Sequence, residues 1–161
     1  MFQVGDKVVY KRDVCEIKEK KEKYFKDQDY LVLVPLKDKS LKIVIPEQVG
    51  KELLRDLISK KEIENIINLI PSINIIEIEE KQLESEYKRL LSNGSPEDYI
   101  KIIKTTFLRN KERLDNKKKI GDKDNFYFNQ AEEYLYLEIG TVLNMNIEEA
   151  KEYITNKVES L

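Results

Sequence analysis

Met1-Phe2-Gln3-Val4-Gly5-Asp6-Lys7-Val8-Val9-Tyr10 opens the chain, and its reading decides the fold. Phe2 and Val4 alternate with polar neighbours, Gly5-Asp6 is a turn signal, and Val8-Val9-Tyr10 is β-branched and aromatic, as a strand prefers. Working outward, Tyr30–Val34 is a second strand candidate closed by Pro35. Leu41–Ile45 is a third, closed by Pro46, and Asp38-Lys39-Ser40 suits the turn between them. Val14, Cys15 and Ile17 suit a further strand, and the lysine-rich run from Lys18 to Lys26 reads as an exposed hairpin tip or loop. Short strands with tight connections in about fifty residues predict a small, strongly bent sheet or barrel.

After Pro46 the hydrophobic period changes from two to helical. Leu53, Leu54, Leu57 and Ile58 recur at helical spacing. Ser59-Lys60-Lys61-Glu62 is a capping box ahead of Ile63, Ile66, Ile67 and Ile70, and Pro71 stops that helix. Ile73, Ile75, Ile76 and Ile78 predict an extended apolar connection, either a short strand or a buried linker. Leu83, Tyr87, Leu90 and Leu91 mark a helix ended by Asn93-Gly94. Ser95-Pro96-Glu97-Asp98 starts another, with Ile100, Ile103, Phe107 and Leu114 as its inward stripe. A helix over roughly 125–143 would turn Phe128, Leu135, Ile139 and Val142 inward, and Asn146 would cap a last one with Glu149. The expected division is residues 1–52 as the β-module and 53–161 as a domain of about five helices, an α+β protein.

Three features carry a resemblance. The first is Phe2-x-Val4-Gly5-Asp6-x-Val8-Val9-Tyr10, followed by Tyr30-Leu31-Val32-Leu33 and Lys42-Ile43-Val44-Ile45-Pro46. The second is Leu54-Arg55 with the run Glu64–Pro71. The third is Tyr87-x-x-x-Leu91-Ser92-x-Gly94 followed by Ala131-Glu132-x-x-Leu135-x-x-Glu138. In order and spacing they resemble the CarD/CdnL family of bacterial transcription regulators, whose first module also occurs in transcription-repair coupling factors. The resemblance implies a Tudor- or SH3-like barrel that grips the RNA polymerase β subunit edge to edge. Its contact strand would be Leu41, Lys42, Ile43, Val44 and Ile45, with Lys20 and Lys21 in the neighbouring loop. It also implies a helical domain lying on promoter DNA just upstream of the melted bubble. The chain departs from the family at two places: Val44 stands where an arginine is frequent, and no tryptophan occupies the wedge slot within Ile76–Glu79.

Composition bounds the function. The 161 residues carry 29 basic and 31 acidic side chains, a net of −2, which favours no partner class. Charge is segregated, however. Residues 101–123 hold nine basic against three acidic residues, while residues 124–161 hold two against eight. Lys101, Lys104, Arg109, Lys111, Arg113, Lys117, Lys118, Lys119 and Lys123 make up the basic stretch. Facing solvent, they are candidates for neutralising DNA phosphates without reading sequence. The same pattern equally fits a solvated helix face balanced by the acidic C-terminal helices.

The chain has no histidine, which removes a Ser-His-Asp triad and His-bound zinc, and it has no Gly-rich phosphate loop. The expectation is a non-enzyme with no cofactor, no metal and no small-molecule substrate. A lone Cys15, no apolar run of the roughly 20 residues a membrane helix needs and no signal-peptide pattern predict a cytoplasmic protein without a membrane partner. The resulting expectation is a transcription regulator that binds polymerase and contacts promoter DNA weakly, by tethering, to modulate open-complex stability. The alternative is an adaptor that uses both domains on proteins without touching DNA.

Overall fold

A computed structural model describes residues 2–160. The chain divides into two compact units, Met1–Leu57 and Ile58–Leu161, each with its own hydrophobic core.

The first unit is a five-stranded antiparallel sheet: β1 (Lys7–Tyr10), β2 (Asp13–Phe25), β3 (Gln28–Pro35), β4 (Ile43–Pro46) and β5 (Leu54–Asp56), in the order β4-β3-β2-β1-β5. β4 and β5 are the two ends of that order, so the described strands form an open sheet and not a closed barrel. Alternation sends Val8, Cys15, Ile17, Leu31, Leu33, Ile45 and Leu54 into one core. The Gly5-Asp6 turn is tied to β2 from both sides, since Gly5 N–H donates to the Ile17 carbonyl at 2.8 Å and Ile17 N–H to the Asp6 carbonyl at 2.9 Å. A 3₁₀ turn (Glu47–Val49) and a one-turn helix, α1 (Gly50–Leu53), lead from β4 to β5.

Two expectations need correction here. Of the exposed hairpin tip or loop expected of the lysine-rich run, the structure has the hairpin and not the loop. β2 continues through it to Phe25, and the hairpin turns only at Lys26-Asp27. Cross-strand pairing with the apolar β3 (Lys20 opposite Leu31, Lys21 opposite Tyr30) holds the charged run extended. The boundary at residue 52 is also five residues early. Leu54–Asp56 adds to the sheet beside β1, with Tyr10 opposite Leu54 and Val8 opposite Asp56. The helical spacing of Leu54 and Ile58 was a coincidence across a boundary, because Leu54 enters the sheet core and Ile58 the helical one.

The second unit holds α2 (Lys60–Leu69), a 3₁₀ turn (Ile70–Ser72), α3 (Glu80–Asn93), α4 (Pro96–Asp115), α5 (Asp122–Leu143) and α6 (Ile147–Glu159). The caps fall where the sequence puts them. The Ser59 hydroxyl accepts the Glu62 N–H at 3.1 Å, and Ser95 Oγ accepts the Asp98 N–H at 3.2 Å. Asn146 and Glu149 form a reciprocal capping box. Gly94 closes α3 in the left-handed region, φ +68°, which a residue with a Cβ enters only at a cost. Residues 74–78 form no strand; Ile73 and Ile76 pack on the helical core as a linker.

α4 and α5 form a helical hairpin whose inward stripes match the expected ones in part: Ile100, Leu135 and Ile139 are buried, and Ile103 and Val142 pack against the core. On α4 the buried residues are Tyr99, Ile100, Ile102, Thr105 and Thr106, whereas Phe107 and Leu114 are more than half exposed. Thr106 sits in the core because its hydroxyl donates to the Ile102 carbonyl at 2.8 Å, which hides a polar atom that apolar counting ignores. On α5 the stripe runs Tyr127, Ala131, Leu135 and Ile139, with Phe128 only half-buried. At Gly140 the backbone of the next turn approaches so closely that a Cβ would lie 2.5 Å from the Met145 carbonyl oxygen.

Candidate functional site

β4 follows from its sequence. Asp38 and Ser40 make the turn before it, with the Ser40 N–H donating to Asp38 Oδ1 at 3.1 Å, and Pro46 ends it. Ile45 is buried and Ile43 half-buried, while Val44 between them is 40% exposed. β4 pairs with β3 on one side, Val32 opposite Val44, and ends the sheet order on the other. An end strand of this kind offers backbone donors and acceptors to a further strand. Of the residues expected in the contact, Leu41 and Lys42 precede the strand and are exposed. Lys20 and Lys21 lie in β2 and not in a loop. Lys20 Nζ pairs with Glu47 at 2.9 Å, and Lys21 Nζ lies 4.5 Å from the centroid of the Tyr24 ring. Its hydrogen bond to Glu47 holds the Lys20 ammonium above its ordinary pKa.

The basic stretch splits into two groups. Lys104, Arg109 and Arg113 were expected to face solvent, but the fold draws them in. Lys104 Nζ donates to the carbonyls of Ile73 at 2.7 Å, Ile70 at 2.8 Å and Pro71 at 3.3 Å, and so caps the end of the 3₁₀ turn after α2. Arg109 and Arg113 converge on Asp124, which is 2% exposed, at 2.9 and 2.6 Å. The Tyr87 hydroxyl donates to the same carboxylate at 2.9 Å, and Arg109 extends the chain to Glu80 at 2.8 Å. Burial alone pushes the Asp124 carboxyl up. The hydrogen bonds from Arg109, Tyr87 and Arg113 outweigh it and hold the group below the ordinary aspartate range. Lys101 is half-buried. Lys111, Lys117, Lys118, Lys119 and Lys123 are exposed at the far end of α4, in the loop after it and on the first turn of α5. That exposed group is the part of the stretch available to phosphates.

Sequence reading missed Asp124 and Thr105, and named Glu138 only as part of a motif, although these polar groups organise the helical unit. Thr105 Oγ1 accepts the Ile76 N–H at 2.9 Å, fixing the irregular connection, and the 2%-exposed Glu138 accepts the Ile58 N–H at 2.9 Å. The available signal was spacing: Asp124 lies three residues before the inward Tyr127 and Glu138 three after the inward Leu135, so each carboxylate falls on the apolar face of α5. In the wedge slot, Ile76 is turned to the core and Ile78 is 44% exposed.

Burial raises the Cys15 thiol to about 11, so it behaves as a small hydrophobe. A groove of about 1030 Å³ in the sheet unit is lined by Phe2, Leu31, Leu54, Asp29, Glu47 and Arg55 among others, a mixture of apolar floor and both charges. Among the described residues no helix is long and apolar enough to cross a membrane. No protein-family model matches the chain, and no curated protein matches it significantly.

Proposed function

We propose that the chain is a non-enzymatic transcription regulator whose sheet unit, a Tudor-like module, docks on the RNA polymerase β subunit, and whose helical unit modulates the open promoter complex. One observation carries this reading: β4 is a sheet end with Val44 outward between inward Ile43 and Ile45, at the place in the chain where the CarD/CdnL resemblance puts the polymerase contact. The mechanism is differential binding. A protein that contacts both polymerase and fork DNA favours the open complex only by the contacts it makes in that state and not in the closed one. Tethering to polymerase raises the effective concentration at the DNA, so a few phosphate contacts from Lys111 and Lys117–Lys119 suffice.

A second reading, an adaptor that touches proteins only, draws support from the same basic stretch. Lys104, Arg109 and Arg113 are occupied within the protein, which leaves fewer charges for phosphate than the sequence suggests.

Open-complex lifetime, measured with polymerase and saturating protein, separates the two. Lys101→Glu/Lys111→Glu/Lys118→Glu spares the three structural cations. The regulator reading expects this variant to bind polymerase as the wild type does and to lose most of the lifetime effect, increasingly so at low salt. An unchanged lifetime with polymerase binding intact selects the adaptor.

A further inference from the structure

Apart from Lys21, which the CarD/CdnL resemblance also assigns to the polymerase contact, the tip of the β2–β3 hairpin holds an arrangement that this contact does not use. Residues 21–29 read Lys-Glu-Lys-Tyr-Phe-Lys-Asp-Gln-Asp: three lysines surround two aromatic rings, with Glu22 and Asp27 beside them, while Asp29 is engaged by Lys20 at 3.8 Å and by the Lys23 N–H. Both rings stay out of the core: Tyr24 is 54% and Phe25 55% exposed. Lys21 Nζ lies 4.5 Å from the Tyr24 centroid and Lys26 Nζ 5.4 Å from that of Phe25, so each ring carries an ammonium. The Tyr30 ring meets Tyr24 edge-on with centroids 5.6 Å apart, which fixes the ring's orientation.

The backbone at the tip is unusual in the same place. The pairing jumps from Lys21 opposite Tyr30 to Phe25 opposite Gln28, so β2 carries extra residues that bulge out, and the Asp29 carboxylate clasps the bulge by accepting the Lys23 N–H at 3.0 Å. Lys23, Lys26 and Asp27 all sit at positive φ, 47°, 50° and 58°. Glycine or asparagine is the easy choice at such positions, and here lysine stands at two of the three. Positive φ at Lys26 and Asp27 is what a two-residue hairpin turn requires, so the turn itself holds the rings and lysines at one exposed tip.

We propose that this tip is a stacking platform for single-stranded nucleic acid. Two solvent-exposed rings flanked by three lysines match unpaired bases flanked by phosphates. An incoming base takes the ring face that the ammonium now covers, and the displaced ammonium meets the neighbouring phosphate, so one cation–π contact is exchanged for stacking plus an ion pair. A duplex does not fit, because its base faces are already stacked. The inference is independent of the polymerase reading, and its test contains no polymerase.

The test is anisotropy of a short labelled oligothymidine titrated with the full chain over a range of salt. Wild type is expected to bind the single strand at least tenfold more tightly than a duplex of equal length. Tyr24→Ala/Phe25→Ala should weaken binding by about tenfold or more without changing the salt slope. Lys21→Gln/Lys23→Gln/Lys26→Gln should flatten the log–log slope by about two, the value for three single-strand phosphates. Lys101→Glu/Lys111→Glu/Lys118→Glu should leave this binding as it is. In the wild type itself, ultraviolet crosslinks should map to Tyr24 or Phe25. The proposal is overturned by absence of binding, by crosslinks elsewhere, by tip variants that bind normally, or by a tip that recruits phosphatidylserine vesicles and not the oligonucleotide.

Discussion

Leu33→Ala is expected to unfold residues 1–57 while the helical unit stays folded. Leu33 is fully buried at the centre of the sheet core, among Ile17, Leu31 and Ile45. Truncating a buried leucine costs about 3 kcal/mol, counting lost transfer energy and the cavity left behind. A unit of this size rarely holds more than about 3–5 kcal/mol in total, so the loss takes most of its stability. The helical core is a separate cluster built on Ile63, Tyr87, Ile102 and Leu135, and it contains no sheet residue. Hydrogen exchange should therefore find the β1–β3 amides nearly unprotected while α3–α5 amides keep wild-type protection. Helical ellipticity should fall little, and the polymerase docking proposed for β4 should be lost with the sheet. If protection collapses in both units together, they fold as one cooperative body and the division at residue 57 has no thermodynamic meaning.

Asp124→Ala is expected to be the most damaging single change in the helical unit that removes no apolar group. It leaves two guanidinium groups and the Tyr87 hydroxyl without their shared acceptor at the α4–α5 hairpin. Breaking a buried pair costs about 3–5 kcal/mol. The lower figure, about 3 kcal/mol, applies because the two arginine side chains keep 29% and 28% of their exposure. For a unit of about a hundred residues that unfolds by itself, that is a fall in Tm of about 12–24 °C.

The pH dependence has a definite sign. The folded Asp124 carboxyl lies below its unfolded value, so its contribution is complete above the unfolded pKa of about 4 and is lost as pH falls through the folded one. Asp124→Asn, which keeps the shape and removes the charge, should thus be less stable than wild type at neutral pH and approach it in strong acid. A difference between the two that stays constant across that range would mean the charge of Asp124 contributes nothing.

The same residue illustrates what the sequence could and could not reveal. Caps and turns were legible because they depend on two or three neighbouring residues: Ser59 and Ser95 as N-caps, Gly94 as the α3 stop, Asn146 with Glu149 at α6. The strand cores of β1 and β3 were legible from β-branched runs. What failed depended on distant partners. Leu54–Asp56 reads as helix locally and becomes a strand only because β1 has a free edge. The α4 stripe was read from apolar residues alone. Thr105 and Thr106 are buried because the Ile76 N–H and the Ile102 carbonyl satisfy them, and Phe107 is left outside. The basic stretch was visible as charge, but its division into structural and exposed cations was not, since Arg109 and Arg113 find Asp124 only once α5 has folded back along α4.

The most direct measurement on the central claim is hydrogen exchange of the full chain with and without RNA polymerase core enzyme. If β4 pairs with a strand of the β subunit, the amides among residues 43–45 that do not already bond β3 should slow by at least about tenfold on binding, because backbone groups at a sheet end acquire partners. Ile43→Pro, which removes a donor and bends the edge, should abolish both the slowing and the binding while β1–β3 amides keep their protection. Binding that leaves residues 43–45 exchanging as in the free protein, or an Ile43→Pro variant that is folded and binds normally, would contradict the account and place the docking surface elsewhere.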